Sequence, residues 1–127
     1  MKLVNQIKTI NMNISPYIYA GLETSQTIKP SELLDKAMKL ICSQKGINEQ
    51  DVMGKSRLHS LVMSRHQFCY IARKKTNLSL GFVGALINRD HATVIHSCKT
   101  FQNLLDTDIY TREQHFKIMQ QLNFKIN

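Results

Sequence analysis

An amphipathic segment that begins near Asp90 places the strongest constraint on what this chain can fold into. Apolar side chains recur in it at helical spacing and so share one face of a helix. They are Val94, Cys98, Phe101 and Leu105. The opposite face carries Ala92, His96, Lys99 and Asn103. The segment therefore predicts a helix that belongs to the core along one side and presents a polar stripe to the solvent along the other.

Local signals predict further helices before this segment. Pro30-Ser31 predicts the start of a helix with Ser31 as its N-cap, and Gly46 predicts its end. Asn48 is expected to cap a short turn that runs through Met53. A polar, basic loop is then predicted from Gly54 to Leu61.

A helix-turn-helix unit is predicted in the middle of the chain. Ser64 followed by Gln67 forms a capping-box pattern and predicts the start of one helix. The stretch Thr76–Ser79 predicts the tight turn after it, with Ser79 capping a short helix that runs through Ile87. The amphipathic helix from Asp90 follows this unit.

A second capping-box pattern, Thr111 with Gln114, predicts the final helix. Together these signals predict an all-α fold, and a length of 127 residues favours one domain. We place this domain at residues 29–127 and an N-terminal arm at residues 1–28. The apolar residues of the arm fit a helical and a strand periodicity, so its secondary structure stays open.

Basic side chains are concentrated in the middle of the chain. The chain has 17 Lys and Arg against 9 Asp and Glu, which gives a formal net charge of +8. Eight of the basic residues and a single acid, Asp90, stand between positions 55 and 99. The basic ones are Lys55, Arg57, Arg65, Arg73, Lys74, Lys75, Arg89 and Lys99. A positive field concentrated in this way suits a polyanion.

The cysteines and the hydropathy pattern bear on the cellular compartment. Cys42, Cys69 and Cys98 form no CxxC pair and lie in apolar helical patterns, which is typical of free thiols in a reducing compartment. The sequence contains no run of about 18 apolar residues, which a membrane-spanning helix needs. We therefore expect a cytoplasmic protein.

Two motifs imitate enzyme or metal chemistry without meeting its requirements. Gly54-Lys55-Ser56 is similar to the end of a phosphate-binding P-loop, but Glu49 stands where that motif needs its first glycine. His91, His96 and Cys98 do not share one helix face, so their spacing does not suit zinc. We predict no catalytic residue, no cofactor and no metal, and hence a protein that is not an enzyme.

The segment Arg89–Cys98, RDHATVIHSC, closely resembles the RDHTTVIHAC signature of the C-terminal DNA-binding domain of the bacterial chromosomal replication initiator DnaA. The basic loop Lys55-Ser56-Arg57, the helix from Ser64 to Arg73 and the turn Thr76–Leu80 recur in the same order at nearly the same spacing. The resemblance covers roughly residues 31–124. It implies a TrpR-like helix-turn-helix bundle of about five to six helices, standing without the initiators' ATPase module, in a nucleoid-associated protein.

The resemblance also implies which residues touch DNA. The first residues of a recognition helix reach base edges, where a carboxylate can accept from cytosine and a methyl group can meet the thymine methyl group. The residues predicted to contact bases are Arg57, in the minor groove, and Leu80, Asp90, His91, Ala92 and Thr93. Those predicted to contact the DNA backbone are Lys55, Arg65, His66, Arg73, Arg89 and His96.

Three positions depart from the family pattern and bear on sequence preference. Ala92 replaces a threonine and so lacks its hydroxyl group. Gly81 replaces a proline, and Asn88 alone replaces a pair of glycines before Arg89. We expect the recognition helix to enter the groove at a slightly different angle.

These observations predict sequence-specific binding of double-stranded DNA. The target of the resembled family is the asymmetric DnaA box of the TTATNCACA type, and the expected role is control of replication initiation or of transcription. The alternative is a protein-interaction adaptor that has lost sequence-specific reading of DNA. We expect residues 1–28 to mediate self-association or to bind a protein partner.

Overall fold

Six α-helices make up most of residues 27–126, the part of the chain that this computed structural model describes. They are α1 (Pro30–Lys45), α2 (Glu49–Met53), α3 (His59–Lys75), α4 (Leu80–Leu86), α5 (His91–Thr107) and α6 (Ile109–Gln121). Two short strands, β1 (Thr27–Ile28) and β2 (Lys125–Ile126), pair in parallel. The predicted all-α bundle is confirmed. None of the helices between residues 27 and 126 is long and apolar enough to cross a membrane.

α3 lies at the centre of the bundle and packs against α1, α2, α4 and α5, most extensively against α5. Its side chains Phe68 and Ile71 are buried in the same core as Leu33 and Ile41 of α1 and Val94 of α5. Each side chain of this size contributes about 1.5–3 kcal/mol when it is fully buried. The core thus holds α5 firmly along its apolar face and leaves the polar face outside.

Caps and a glycine set several helix ends where the sequence indicated them. Gly46 ends α1 with a φ of +66°, a left-handed conformation that suits glycine. The side chain of Asn48 accepts a hydrogen bond from the backbone N–H of Gln50 at 3.0 Å and starts α2. Ser79 Oγ accepts one from the backbone N–H of Phe82 at 3.1 Å and starts α4. The predicted tight turn therefore lies between α3 and α4.

The first and last helices begin earlier than their predicted caps. α1 includes Pro30, so Ser31 lies inside the helix and is not the N-cap. A proline suits the first helical position because its φ is fixed and its missing N–H would be unpaired there. α6 begins at Ile109, and Thr111 instead donates its hydroxyl to Asp108 Oδ2 at 2.6 Å.

α3 also begins well before its predicted cap. The helix starts at His59, so Ser64 lies inside it and the predicted capping box with Gln67 is wrong. A serine hydroxyl within a helix can bond to the carbonyl one turn back, and Ser64 donates to Ser60 at 2.7 Å. The basic loop is therefore shorter than predicted and ends at Leu58.

The last two residues of the predicted arm take part in the folded domain. Thr27 pairs with Lys125 and Ile28 pairs with Ile126. Ile28 is also buried in the core. The paired backbone and the buried side chain tie this segment to the bundle. The patterns noted in the rest of the arm lie outside the described residues.

The turn between α4 and α5 depends on a close backbone approach at Gly84. A Cβ atom at this position would overlap the carbonyl oxygen of Arg89. The N–H of Arg89 donates to the Gly84 carbonyl at 2.8 Å. Asn88 completes the turn with a φ of +58°, a conformation that asparagine tolerates better than most other non-glycine residues. This turn decides where α5 begins relative to α4.

We predict that Gly84→Ala lowers the free energy of unfolding by about 1–3 kcal/mol, because the added methyl group forces the turn apart. Gly81→Ala is the matched control, since a Cβ atom there meets nothing within 4 Å. Alanine at that helical position should stabilise by up to about 1 kcal/mol. Urea denaturation of both variants gives the comparison. Equal stabilities would show that the turn has room for the methyl group.

A buried histidine lies in an aromatic cluster formed by α3, α5 and α6. The ring centroid of His115 is 5.0 Å from that of Phe101 and 5.6 Å from that of Tyr70. The side-chain amide of Gln67 lies 3.0 Å from His115 Nδ1, a contact that suits donation to a neutral ring. Burial lowers the pKa of His115 to about 4. The ring is therefore uncharged in the folded protein at neutral pH.

We predict that the stability of the domain falls as the pH drops from about 6.5 to about 4. A histidine in the unfolded chain has a pKa of about 6.5, so the unfolded state binds a proton that the folded state does not accept. The loss approaches about 1.4 kcal/mol per pH unit. The loss of stability stops below a pH of about 4, the pKa of His115 in the folded protein, because the folded state then binds the proton as well. Urea denaturation across this pH range measures the slope.

His66 contributes to the same slope in the same direction, because burial also lowers its pKa. His115→Asn should nevertheless remove the larger part, since the shift at His115 is large. A slope that stays as steep in His115→Asn would show that another group is responsible.

Candidate nucleic-acid interface

The first turn of α5 presents polar groups at the surface. Asp90 caps the helix, with Oδ1 accepting a hydrogen bond from the backbone N–H of Thr93 at 2.8 Å. This N–H, and then the Thr93 hydroxyl, lower the pKa of Asp90. His91 and Ala92 are exposed beside the cap. The turn is thus held by the bond between Asp90 and Thr93, while His91 and Ala92 face the solvent.

Arg65 forms the centre of the basic loop between α2 and α3. It is only 7% exposed. Its guanidinium group donates to the backbone carbonyls of Val52, Ser56, Gly54 and Asp51, at 2.5, 2.7, 2.9 and 3.1 Å. Burial and then the neighbouring Arg89 lower the pKa of Arg65. The loop is therefore folded around a guanidinium group whose hydrogen bonds are made within the protein.

Arg89 joins this loop to the start of α5. Its Nη2 donates to the Gly54 carbonyl at 2.6 Å, and the same oxygen accepts a bond from Arg65 at 2.9 Å. Its Nη1 donates to two carbonyls of the turn that precedes α5. The side-chain amide of Asn88 donates to the carbonyl of Met53 at 3.2 Å. We name Arg65, Arg89 and the shared Gly54 carbonyl the arginine clamp.

The arginine clamp brings the exposed cations of the loop next to the recognition segment. A cleft of about 700 Å³ lies there, lined among others by Lys55, Arg57, Asn88 and Arg89. Lys55 and Arg57 are exposed. Within residues 27–126 the one ion pair joins Lys39 to Asp35 at 2.7 Å. The two loop cations therefore have no acidic partner in the described part of the chain and are available to an anion.

A second basic cleft, of about 470 Å³, lies where the end of α3 and the start of α4 meet α5. Arg73 and Leu80, both predicted DNA contacts, line it together. Lys74 and Lys99 line it as well, although neither was predicted as a contact. The signal for Lys99 was present in the sequence, since it lies on the polar face of α5.

His96 and His66 form a pair between α5 and α3. Their ring centroids are 6.1 Å apart with the rings edge to face. His96 is exposed. His66 is partly buried, and its Nδ1 has no hydrogen-bond partner among the described residues. Burial, and then the proximity of His96, lower the pKa of His66. The exposed member of the pair is His96.

A family model, the bacterial DnaA protein helix-turn-helix, matches residues 34–100. The chain belongs to this family. The chromosomal replication initiator protein DnaA of Bacteroides thetaiotaomicron is 30% identical over 102 residues, which cover 80% of this chain and 21% of that protein. The DnaA of Thermodesulfovibrio yellowstonii is 35% identical over 102 residues, covering 78% of this chain and 22% of that protein. The chain thus spans about a fifth of the length of these relatives.

The DnaA helix-turn-helix match begins in α1 and ends in α5. It includes the basic loop, the arginine clamp, the tight turn between α3 and α4 and the first turns of α5. The resemblance inferred from the segment Arg89–Cys98 is thereby confirmed. Every residue predicted to contact DNA lies within the matched range.

The residues predicted to contact DNA differ in their exposure to solvent. The exposed ones are Lys55, Arg57, Arg73, Asp90, His91, Ala92 and His96, and the partly buried ones are His66, Leu80, Arg89 and Thr93. Arg65 alone is buried. Its donors hold the loop from inside, while its contact with the DNA backbone stays a prediction.

We predict that Arg65→Ala lowers the free energy of unfolding by about 1.5–3 kcal/mol, because it removes charged hydrogen bonds to carbonyls inside the loop. Arg57→Ala is the matched control on the same loop. Its side chain is exposed, so the change should stay within about 0.5 kcal/mol. Urea denaturation at neutral pH measures both. Similar values would mean that the arginine clamp adds nothing to stability.

Proposed function

We propose that this protein binds double-stranded DNA at DnaA-box-like sites, with the first turn of α5 in the major groove. The observation that carries the proposal is the arginine clamp, which joins that turn to a loop with exposed cations. Because the two are joined, the side chains proposed to reach bases stay at a fixed position relative to those proposed to reach phosphates. In helix-turn-helix proteins, the recognition helix lies in the major groove and its N-terminal residues contact base edges.

Base reading is proposed for residues at the start of α5, in the basic loop and in the second cleft. At the start of α5, His91 can hydrogen-bond to a base edge and the methyl group of Ala92 can meet that of a thymine. Asp90 and Thr93 keep this turn in shape, and the carboxylate can also accept a bond from cytosine. Arg57 suits the narrow, electronegative minor groove of A·T-rich DNA. In the second cleft, Leu80 is placed to meet thymine methyl groups.

Phosphate contacts are proposed for the surrounding cations. They are Lys55, Arg73, Arg89 and Lys99. A further phosphate contact is proposed for the exposed imidazole of His96, with His66 supporting it. None of them forms an ion pair with an acid within residues 27–126. Each phosphate that they neutralise releases counterions from the DNA and so adds affinity at low salt. Such contacts position the protein on the duplex and do not read its sequence.

The proposed role is control of replication initiation, with control of transcription as the further possibility that binding at such sites allows. The relatives are named as chromosomal replication initiator proteins. The part that they share with this chain contains the helix-turn-helix. The proposed contribution of this chain is therefore the recognition of sites on the chromosome in the cytoplasm.

We predict tighter binding to a TTATNCACA duplex than to a scrambled duplex. Arg57→Ala and His91→Ala should each lower this discrimination by about 1–3 kcal/mol, because each removes a base contact. Lys99→Ala is the control for a phosphate contact. It should weaken both duplexes alike and lower the slope of log K against log salt by about 0.9. Fluorescence anisotropy with labelled duplexes, at several salt concentrations, measures all three variants.

Equal losses on both duplexes in all three variants would leave only backbone contacts and refute the proposed base reading. Weak binding to both duplexes that is indifferent to salt would favour the alternative function, a protein-interaction adaptor. Self-association or protein binding through residues 1–28 stays a prediction, and these residues are not included in the proposed DNA site.

A further inference from the structure

An apolar groove of about 230 Å³ lies between α1, α2, α3 and α4. Its apolar lining consists of Leu34, Met38, Met53, Phe68, Phe82 and Leu86. Phe82 is 46% exposed and Leu86 is 36% exposed, and the two lie one turn apart on α4. Contiguous apolar side chains at the surface are typical of interaction sites. We name this surface the α4 groove.

The α4 groove differs in chemistry from the proposed DNA interface. None of the residues proposed to contact DNA lines it. Its edge carries two acids, Asp35 and Glu49, of which Asp35 is paired with Lys39 at 2.7 Å. A negative charge at the edge repels phosphate and attracts a basic segment. The groove therefore suits an apolar stretch of protein and does not suit DNA.

Residues 14–22 are an apolar stretch that lies close to this groove along the chain. They include Ile14, Tyr17, Ile18, Tyr19 and Leu22. The chain enters the described domain at Thr27, and Ser31 in the first turn of α1 already lines the groove. The five peptide units from Leu22 to Thr27 reach about 17 Å when extended. The groove follows α1 from Ser31 to Met38, which is about 10 Å of helix.

The short tether favours this segment as the occupant. A short linker holds a tethered segment at an effective concentration of about the millimolar range, so modest contacts suffice for docking. Residues 1–26 contain Lys2 and Lys8 against one acid, Glu23. Residues 14–22 themselves carry no charge, so their docking depends on apolar contacts and on the tether.

We propose that residues 14–22 dock in the α4 groove of the same molecule and cover Phe82 and Leu86. Because the groove includes one wall of α4, this contact links the N-terminal segment to the helix-turn-helix. The DNA-contacting surface stays uncovered, since the two sites share no proposed contact residue.

Methionine methyl NMR on the full chain tests the proposal. The variant carries Tyr17→Ser, Ile18→Ser and Tyr19→Ser. Compared with wild type, the methyl resonances of Met38 and Met53 should shift, because both line the groove. Those of Met63 and Met119, which do not line it, should stay in place and serve as internal controls. The shifts should be the same after tenfold dilution, because the docking is intramolecular.

A double-mutant cycle on melting temperature supplies a second measurement. Phe82→Ser should lower the melting temperature of wild type more than that of the triple-serine chain, because only wild type has a docked segment to lose. Tyr110→Ser is the control, since Tyr110 is 67% exposed and does not line the groove. Its effect should be the same in both backgrounds.

Unchanged Met38 and Met53 resonances, together with equal effects of Phe82→Ser in both backgrounds, would overturn the proposal. Resonance shifts that vanish on dilution would overturn it in favour of a segment from a second copy of the chain. Shifts confined to Met63 and Met119 would overturn it by placing the segment elsewhere on the domain.

Discussion

The carbonyl oxygen of Gly54 accepts hydrogen bonds from both Arg65 and Arg89, at 2.9 and 2.6 Å. Two guanidinium groups held this close repel each other, and Arg65 has also lost most of its water. Charge-assisted bonds to the surrounding carbonyls offset that cost. While both bonds are made, the basic loop and the first turn of α5 cannot move independently. The position of the basic loop against the first turn of α5 depends on this shared acceptor, together with the bond from Asn88 to the Met53 carbonyl.

Within the basic loop, different residues shape the backbone and present charge to a ligand. Arg65 holds the backbone from inside, and Lys55 and Arg57 present their charges outside. An unsupported loop would be ordered only on binding, at a cost of about 1–2 kcal/mol for each backbone residue fixed. A loop that is already ordered avoids that cost and so gains affinity without further contacts. A sequence motif gives the position of Arg65 along the chain, but it does not show on which side of the surface the residue acts.

Helix ends were predictable where the backbone conformation of a few neighbouring residues decides them. Gly46 takes a left-handed φ, and Ser79 bonds to an N–H three residues later, so both signals are local. The helix start predicted at Ser64 was wrong because a serine hydroxyl can either cap a helix or bond to the carbonyl one turn back. Packing decided between these two arrangements. α3 extends back to His59, and the extra turn buries Leu61 in the core.

The sequence by itself determined the family, the two faces of α5 and the concentration of charge, because these depend only on residue type and on spacing along the chain. Only the tertiary structure decided that Arg65 is internal, that His115 is buried with a lowered pKa and that Thr27 pairs with Lys125. The physical reason is the distance between partners. Arg65 bonds to carbonyls as far as 14 positions away, and the two strands lie at opposite ends of the described chain. Burial and hydrogen-bond partners arise when distant segments pack together, so no local pattern contains them.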